Sequence, residues 1–120
     1  MILKGRLPIL PTEDPDKVLL CVLNLFPDSE VISSKDDVSF QTTDVSKFIE
    51  LLREQQIRDT AVMIIERRTS GDSTSFILNK QAAFMGRVNF TDGDSTLGDL
   101  HIDVLEGARE LVDDIRPGLD

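Results

Sequence analysis

Two hydrophobic periods alternate along the chain, and this alternation limits the folds that it can adopt. Near the N-terminus, Leu3, Leu7 and Ile9 lie at odd positions and Lys4 and Arg6 at even ones. This period of two is typical of a strand with one buried face. Three later segments repeat at helical spacing instead: Val18, Leu19, Val22, Leu25 and Phe26; Val45, Phe48, Ile49 and Leu52; Ala108, Leu111, Val112 and Ile115. The mixture predicts an α+β fold, a small, mainly antiparallel sheet with helices packed on one face.

Local signals give the bounds of the predicted elements. Further strands are predicted at 30–33, 38–42, 74–78, 87–90 and 100–105, with turns at 34–37, 70–73 and 91–95. Thr12 or Asp14 can cap the first helix, which Pro27 ends, and Asp44 can cap the second. Residues 80–84 are predicted to form a tight turn or short helix, and 107–115 the last helix, which Pro117-Gly118 ends.

Residues 60–68 fit two interpretations. Val62, Ile64 and Ile65 would suit a strand, but they do not alternate with polar residues. As a helix the segment has Asp59 as an explicit N-cap and an apolar side that includes Ile57. We prefer the helix.

Composition indicates one domain, 1–120, of common size. No apolar run approaches the roughly 20 residues that span a bilayer. The N-terminus has no secretory h-region, so we expect a cytoplasmic protein without membrane contact. Cys21 is the single cysteine, which excludes an internal disulfide and a cysteine metal cluster. Because it lies in an apolar helix, it is predicted to be a buried structural thiol.

The sequence carries no catalytic constellation. His101 is the one histidine, and no serine stands in a Gly-x-Ser-x-Gly elbow. The glycines lack the spacing of a phosphate loop, and the carboxylates after residue 91 lack the glycine of a calcium loop. We therefore predict a protein that is not an enzyme and has no cofactor and no metal.

Charge is distributed unevenly. The formal net charge is −9, and the residues after Phe90 include nine acidic groups against Arg109 and Arg116. The first 90 residues are nearly neutral. An acidic chain binds nucleic acid poorly unless its cations gather on one surface, because phosphate contacts need Lys and Arg.

The cations and amides that could form such a surface are scattered through the sequence: Lys4, Arg6, Arg67, Arg68, Asn79, Lys80, Gln81, Arg87 and Asn89. The cations would contact phosphates, and the amides could hydrogen-bond sugars or base edges. A structural role fits the same residues equally well. In that interpretation Asn79 and Gln81 hold the turn backbone and Lys80 pairs with a nearby acid. The absence of Tyr and Trp argues against an aromatic stacking platform.

A family resemblance is carried by three segments: Pro11-Thr12-Glu13-Asp14-Pro15, Leu78-Asn79-Lys80-Gln81-Ala82-Ala83-Phe84 and Gly86-Arg87-Val88-Asn89-Phe90. Together with Asn24-Leu25-Phe26-Pro27 and Ile57-Arg58-Asp59-Thr60-Ala61, they resemble the archaeal uncharacterised protein family 0201. That family is similar to proteins described as RNA-binding or exosome-associated, and its fold looks like that of the ribosomal protein that holds 5S ribosomal RNA. The resemblance implies RNA contacts at Asn79, Lys80, Gln81, Arg87 and Asn89.

The leading hypothesis is thus a non-catalytic RNA-binding protein linked to the ribosome or to RNA processing. We expect it to form a homodimer through an exposed strand edge. The alternative is a protein–protein interaction module that acts through a sheet edge or through an acidic helix face.

Overall fold

The computed structural model describes residues 1–93 and 98–116. These residues contain five strands and five helices, which we number in chain order: β1 (Ile2–Pro8), α1 (Pro15–Leu25), β2 (Glu30–Ser33), β3 (Asp37–Thr42), α2 (Ser46–Glu54), α3 (Arg58–Arg67), β4 (Thr74–Leu78), α4 (Lys80–Phe84), β5 (Leu100–Glu106) and α5 (Ala108–Ile115). The strands form one sheet in the order β2-β3-β1-β5-β4, and every pairing is antiparallel. The predicted α+β fold class is confirmed.

Alternation along the strands separates a buried sheet face from an exposed one. On β1, Leu3 and Leu7 are fully buried, whereas Lys4 and Arg6 are exposed. The buried face packs against apolar residues of the helices, such as Phe48 of α2. Helices therefore cover one side of the sheet, as predicted, and the other side is open.

A row of phenylalanine rings runs through the core. Neighbouring ring centroids lie 5.4 to 5.9 Å apart, in the order Phe40, Phe26, Phe48, Phe76 and Phe90. The row begins under β1, where Gly5 leaves room for the Phe40 ring: a Cβ at that position would lie 2.1 Å from the ring tip. It ends at Phe90, which is only partly buried.

The helix starts confirm some predicted caps and correct others. Asp14 caps α1, since its carboxylate accepts a hydrogen bond from the Asp16 N–H at 3.0 Å. Residues 60–67 are helical, so the preferred interpretation of that segment is confirmed. The predicted cap Asp59 was wrong, however, because α3 already begins at Arg58. Asp44 accepts from the Ser46 N–H at 2.9 Å, although the residue at the cap position of α2 is Val45.

The predicted strand at 87–90 was wrong. The structure forms a single bridge there, between Phe90 and Leu78. The reason is the Gln55 side chain, which accepts from the Val88 N–H and donates to the Val88 carbonyl, each at 2.8 Å. An amide side chain thus occupies the backbone groups that a neighbouring strand would use.

Two predicted features fall partly or wholly outside the described residues. The turn at 91–95 is described only through Gly93, and the Pro117-Gly118 helix end is not described. Among the residues that are described, none of the helices is both long enough and apolar enough to cross a bilayer.

Candidate nucleic-acid interface

The sheet face turned away from the helices presents two rows of side chains, and we call these ten residues the open face. Cross-strand register places Glu30, Gln41, Lys4, Asp103 and Ser75 in one row, and Ile32, Ser39, Arg6, His101 and Ile77 in the next. Residues directly opposite in antiparallel strands have neighbouring side chains, so each row is a continuous surface.

The two rows differ in charge. The Lys4 row carries the carboxylates of Glu30 and Asp103, whereas the Arg6 row carries none. Within the described part of the chain, neither Lys4 nor Arg6 forms an ion pair. A shallow groove of about 480 Å³ lies over both cations. The Arg6 row is therefore the part of the open face best suited to an anion.

A second pair of predicted cations lies at the edge of the sheet. Arg67 and Arg68 end α3 and line a cleft of about 440 Å³, which we call the edge cleft. Its other lining residues are Ile64, Phe76, Ile77, Phe90, Thr91 and Asp92. Because Ile77 also belongs to the Arg6 row, the edge cleft adjoins the open face.

The Asn79 segment has the structural role that the sequence left open. The Asn79 side chain caps α4 by accepting from the Ala82 N–H at 2.8 Å. Its backbone N–H donates to the Asn89 carbonyl, also at 2.8 Å. The side chains of Gln81, Arg87 and Asn89 are exposed, but they line neither the open-face groove nor the edge cleft.

Lys80 is buried, at 4% exposure, so it does not present its ammonium to solvent as a phosphate contact would require. Its Nζ donates to Glu13 Oε1 at 2.9 Å and to the Pro8 carbonyl at 2.8 Å. Its backbone N–H donates to the buried carboxylate of Asp99. The Lys80 side chain, at the first position of α4, turns inward towards α1. Of the two interpretations of Lys80, the structure therefore shows the pairing with an acid.

The structure also adds residues that sequence reasoning did not select. Ser39, Gln41 and His101 flank Lys4 and Arg6 on the open face. Their own strand alternation marks them as outward-facing. Only the strand order, which places β1 between β3 and β5, brings them beside the two cations.

Cys21 and His101, the single cysteine and the single histidine, have different environments. Burial raises the pKa of Cys21 from 9.0 to about 11, which keeps the thiol protonated near neutral pH. His101 is exposed on the open face, beside Arg6. Across residues 1–93 and 98–116, no group of three or more His, Cys, Asp and Glu side chains is placed to hold a metal ion.

Fold and site together define a class: an α+β domain whose antiparallel sheet leaves a polar, cation-bearing face uncovered. Residues 38–104, which span β3 to most of β5, match a family model described as RNA binding. The chain belongs to that family and, by its relatives, to the archaeal UPF0201 proteins.

Two relatives and one solved structure illustrate the match. The chain is 38% identical to a UPF0201 protein of Methanocaldococcus jannaschii over 98% of its own length and 72% of the relative's. It is 40% identical to a UPF0201 protein of Methanothermobacter thermautotrophicus over 84% and 79%. A crystal structure of a UPF0201 protein from Methanococcus jannaschii superposes with a TM-score of 0.87 at 34% identity, covering 98% of this chain and 100% of that one.

Proposed function

We propose that this chain is a cytoplasmic, non-catalytic RNA-binding protein, linked to the ribosome or to RNA processing, and that the open face of its sheet contacts the RNA. The observation that carries the proposal is the pair of exposed cations, Lys4 and Arg6, at the centre of that face, which form no ion pair with the residues that the structure describes. The match to an RNA-binding family supports the class of partner.

The chemistry of the open face suits a polynucleotide backbone. Lys4 and Arg6 supply charge for phosphates, while Ser39, Gln41 and His101 supply hydrogen-bonding groups for sugars and base edges. The ten open-face residues include no Phe, Tyr or Trp, and the His101 imidazole is their one aromatic group, so base stacking contributes little there. Contacts to the backbone and sugars would dominate, with affinity that falls as salt rises.

The test is RNA binding by charge variants, measured by fluorescence anisotropy at low and moderate salt. The probe is a labelled single-stranded RNA of about 12 nucleotides, within the usual site size. Lys4→Gln with Arg6→Gln should weaken binding about tenfold or more and reduce the salt slope by about 1.4, the value for two phosphate contacts on a single strand.

The matched control is Lys35→Gln with Arg53→Gln, which removes the same charge from two exposed residues that do not line the groove. It should bind nearly as the unaltered protein does. Absence of salt-sensitive binding by the unaltered protein at low ionic strength would overturn the proposal.

A protein–protein contact is the second candidate, and the edge of β2 favours it. β2 ends the sheet, and no described strand pairs with its outer side. Ile32 of β2 is 75% exposed. Unprotected edges invite strand addition, so we propose that two copies pair through β2 as a homodimer.

Light scattering tests this dimer. The unaltered protein should have the mass of a dimer, Ile32→Lys should have the mass of a monomer, and Lys4→Gln with Arg6→Gln should remain a dimer. A monomer mass for the unaltered protein would exclude the homodimer.

A further inference from the structure

We infer that the edge cleft is a second RNA contact, which takes one unpaired nucleotide with its base against Phe90 and a phosphate at Arg67 and Arg68. This inference rests on the proposed function and extends it, since it adds a site of different chemistry next to the open face. The open-face rows contain no phenylalanine ring, whereas the edge cleft has one that is partly exposed.

The charge of the cleft comes from consecutive residues of one helix end. Arg67 and Arg68 are both exposed. Neither guanidinium forms an ion pair or a side-chain hydrogen bond with any residue that the structure describes. A guanidinium presents a planar fork of donors that matches phosphate geometry. Two such groups in one cleft make it an anion site in an acidic protein.

One wall of the edge cleft is the Phe90 ring, which packs against the core. Phe90 ends the phenylalanine row and packs on Phe76 with centroids 5.7 Å apart and planes tilted by 58°. The bridge to Leu78 and the bond from the Thr91 N–H to the Ile77 carbonyl hold its backbone against β4. Because the ring is already immobilised, a base that contacts it loses little additional entropy to ordering of the protein.

The rim adds a group suited to sugar rather than to phosphate. Asp92 is exposed and lines the cleft with Thr91. A carboxylate repels phosphate but accepts hydrogen bonds from ribose hydroxyls, the groups that distinguish RNA from DNA. The cleft thus offers donors for a phosphate and an acceptor for ribose hydroxyls.

Ile77 connects the two surfaces. It lies in the Arg6 row opposite His101 and also lines the edge cleft. A strand that crosses the open face along this row therefore arrives at Phe90 and Arg67. Base-paired RNA cannot place a base in the cleft, so the inference predicts a preference for single strands.

Arg67 and Arg68 also have a structural explanation, because cations at a helix C-terminus interact favourably with the helix dipole. That role affects stability and leaves RNA affinity unchanged. A test must therefore measure both the stability and the RNA affinity of each variant.

The experiment uses the full chain, the single-stranded RNA probe described above and the same strand annealed to its complement. Arg67→Gln with Arg68→Gln should weaken single-strand binding about tenfold and lower the salt slope by about 0.7, the value for one phosphate contact on a single strand. Phe90→Leu should weaken it about tenfold with the slope unchanged, because it removes a ring and no charge. Lys35→Gln with Arg53→Gln is the charge-matched control, and thermal unfolding checks that each variant folds.

The outcomes separate the inference from the proposed function. If Lys4→Gln with Arg6→Gln weakens binding while both cleft variants bind as the unaltered protein does, the cleft is not a contact and the open-face proposal stands. Equal affinity for the single strand and the duplex also overturns the cleft. If the unaltered protein binds no RNA, both proposals fail.

Discussion

Lys80 joins three parts of the chain that are distant in sequence. Its ammonium reaches Glu13 and the Pro8 carbonyl, and its backbone N–H reaches Asp99. Its own carbonyl accepts a weak hydrogen bond from the Cys21 thiol at 3.5 Å. A buried charge of this kind is costly to leave without its partner, so the cluster is expected to specify how β1, α1 and α4 meet.

Lys80→Met keeps most of the side-chain volume but removes the ammonium. We expect a loss of about 2–4 kcal/mol in the free energy of unfolding, because Glu13 and the Pro8 carbonyl lose their donor. Urea unfolding followed by far-UV circular dichroism measures it. The control Lys35→Met, at an exposed turn, should change stability by less than about 0.5 kcal/mol. Equal effects of the two substitutions would show that the cluster contributes nothing.

Cys21 should be unreactive in the native protein. Burial is the main cause that raises its pKa from 9.0 to about 11, and the Lys80 charge offsets only part of this rise. At pH 8 the thiolate fraction is then about 100-fold lower than in the unfolded chain. A disulfide reagent such as Ellman's should therefore modify the native thiol at least about 100-fold more slowly than the thiol in urea. Similar rates in both states would contradict the buried placement.

At the scale of elements, α5 is held by a carboxylate from another turn. Gly107 precedes the helix and has no side chain to cap it. Asp72 supplies the cap instead: its carboxylate accepts from the Gly107 N–H at 2.8 Å and from the Arg109 N–H at 3.1 Å, and its carbonyl accepts from the Ala108 N–H. Asp72 thereby connects the turn before β4 to the helix after β5.

Asp72→Ala should lower the midpoint of thermal unfolding by several degrees near neutral pH, more than Asp36→Ala at an exposed turn. The hydrogen bonds from Arg109 and Gly107 lower the pKa of Asp72 from its ordinary value of 3.8. A group with a lowered folded-state pKa stabilises the protein fully above its unfolded pKa and loses that effect as pH falls through the folded one. The difference between the unaltered protein and Asp72→Ala should thus be constant above about pH 5 and shrink below about pH 4. A difference that does not change with pH would contradict the capping role.

The contact between Gly5 and Phe40 fixes β1 over the first ring of the phenylalanine row. Gly5→Ala would force the Phe40 ring to move within a packed core, at a cost of about 1–3 kcal/mol. Phe40→Leu shortens that side chain, so the double variant should be more stable than the two single effects predict. Urea unfolding of the four proteins gives the coupling energy, and additivity within about 0.5 kcal/mol would refute the contact.

These elements show what the sequence could predict. The strand at 74–78 and the helical stripe around Phe48 were predictable because each periodic pattern is local. The Gln55 contact to Val88 was not, because 33 residues separate the partners and an amide pairs with many backbone groups. The pairing of Lys80 with an acid was one of the two interpretations that the sequence left open, but the partner Glu13 was not predictable because 67 residues separate the two.

For the candidate site, the sequence predicted the outward direction of Lys4 and Arg6, because strand alternation alone determines it. It could not predict their neighbours, since β1 pairs with β3 and with β5 across long intervening segments. It also grouped Arg87 with Lys4 and Arg6, whereas Arg87 lines neither the open-face groove nor the edge cleft.

At the scale of the whole molecule, most of the described acidic residues after Phe90 lie outside the open face, where two cations match the two carboxylates of Glu30 and Asp103. The acidic pair Asp113 and Asp114 is exposed on α5, which packs on the helical side against α3. Among the described acidic residues after Phe90, Asp103 lies within the open-face rows. A chain of net charge −9 can therefore offer RNA one surface that is not acidic, which is how we reconcile its composition with its family.

The most direct test of the central claim is an amide chemical-shift titration of the labelled protein with single-stranded RNA at low salt. The account predicts that the largest shifts map to the open face, at Lys4, Arg6, Ser39 and His101, and that they diminish as salt is added. Shifts confined to α2 and α5 on the helical side, or no shifts at all, would contradict it.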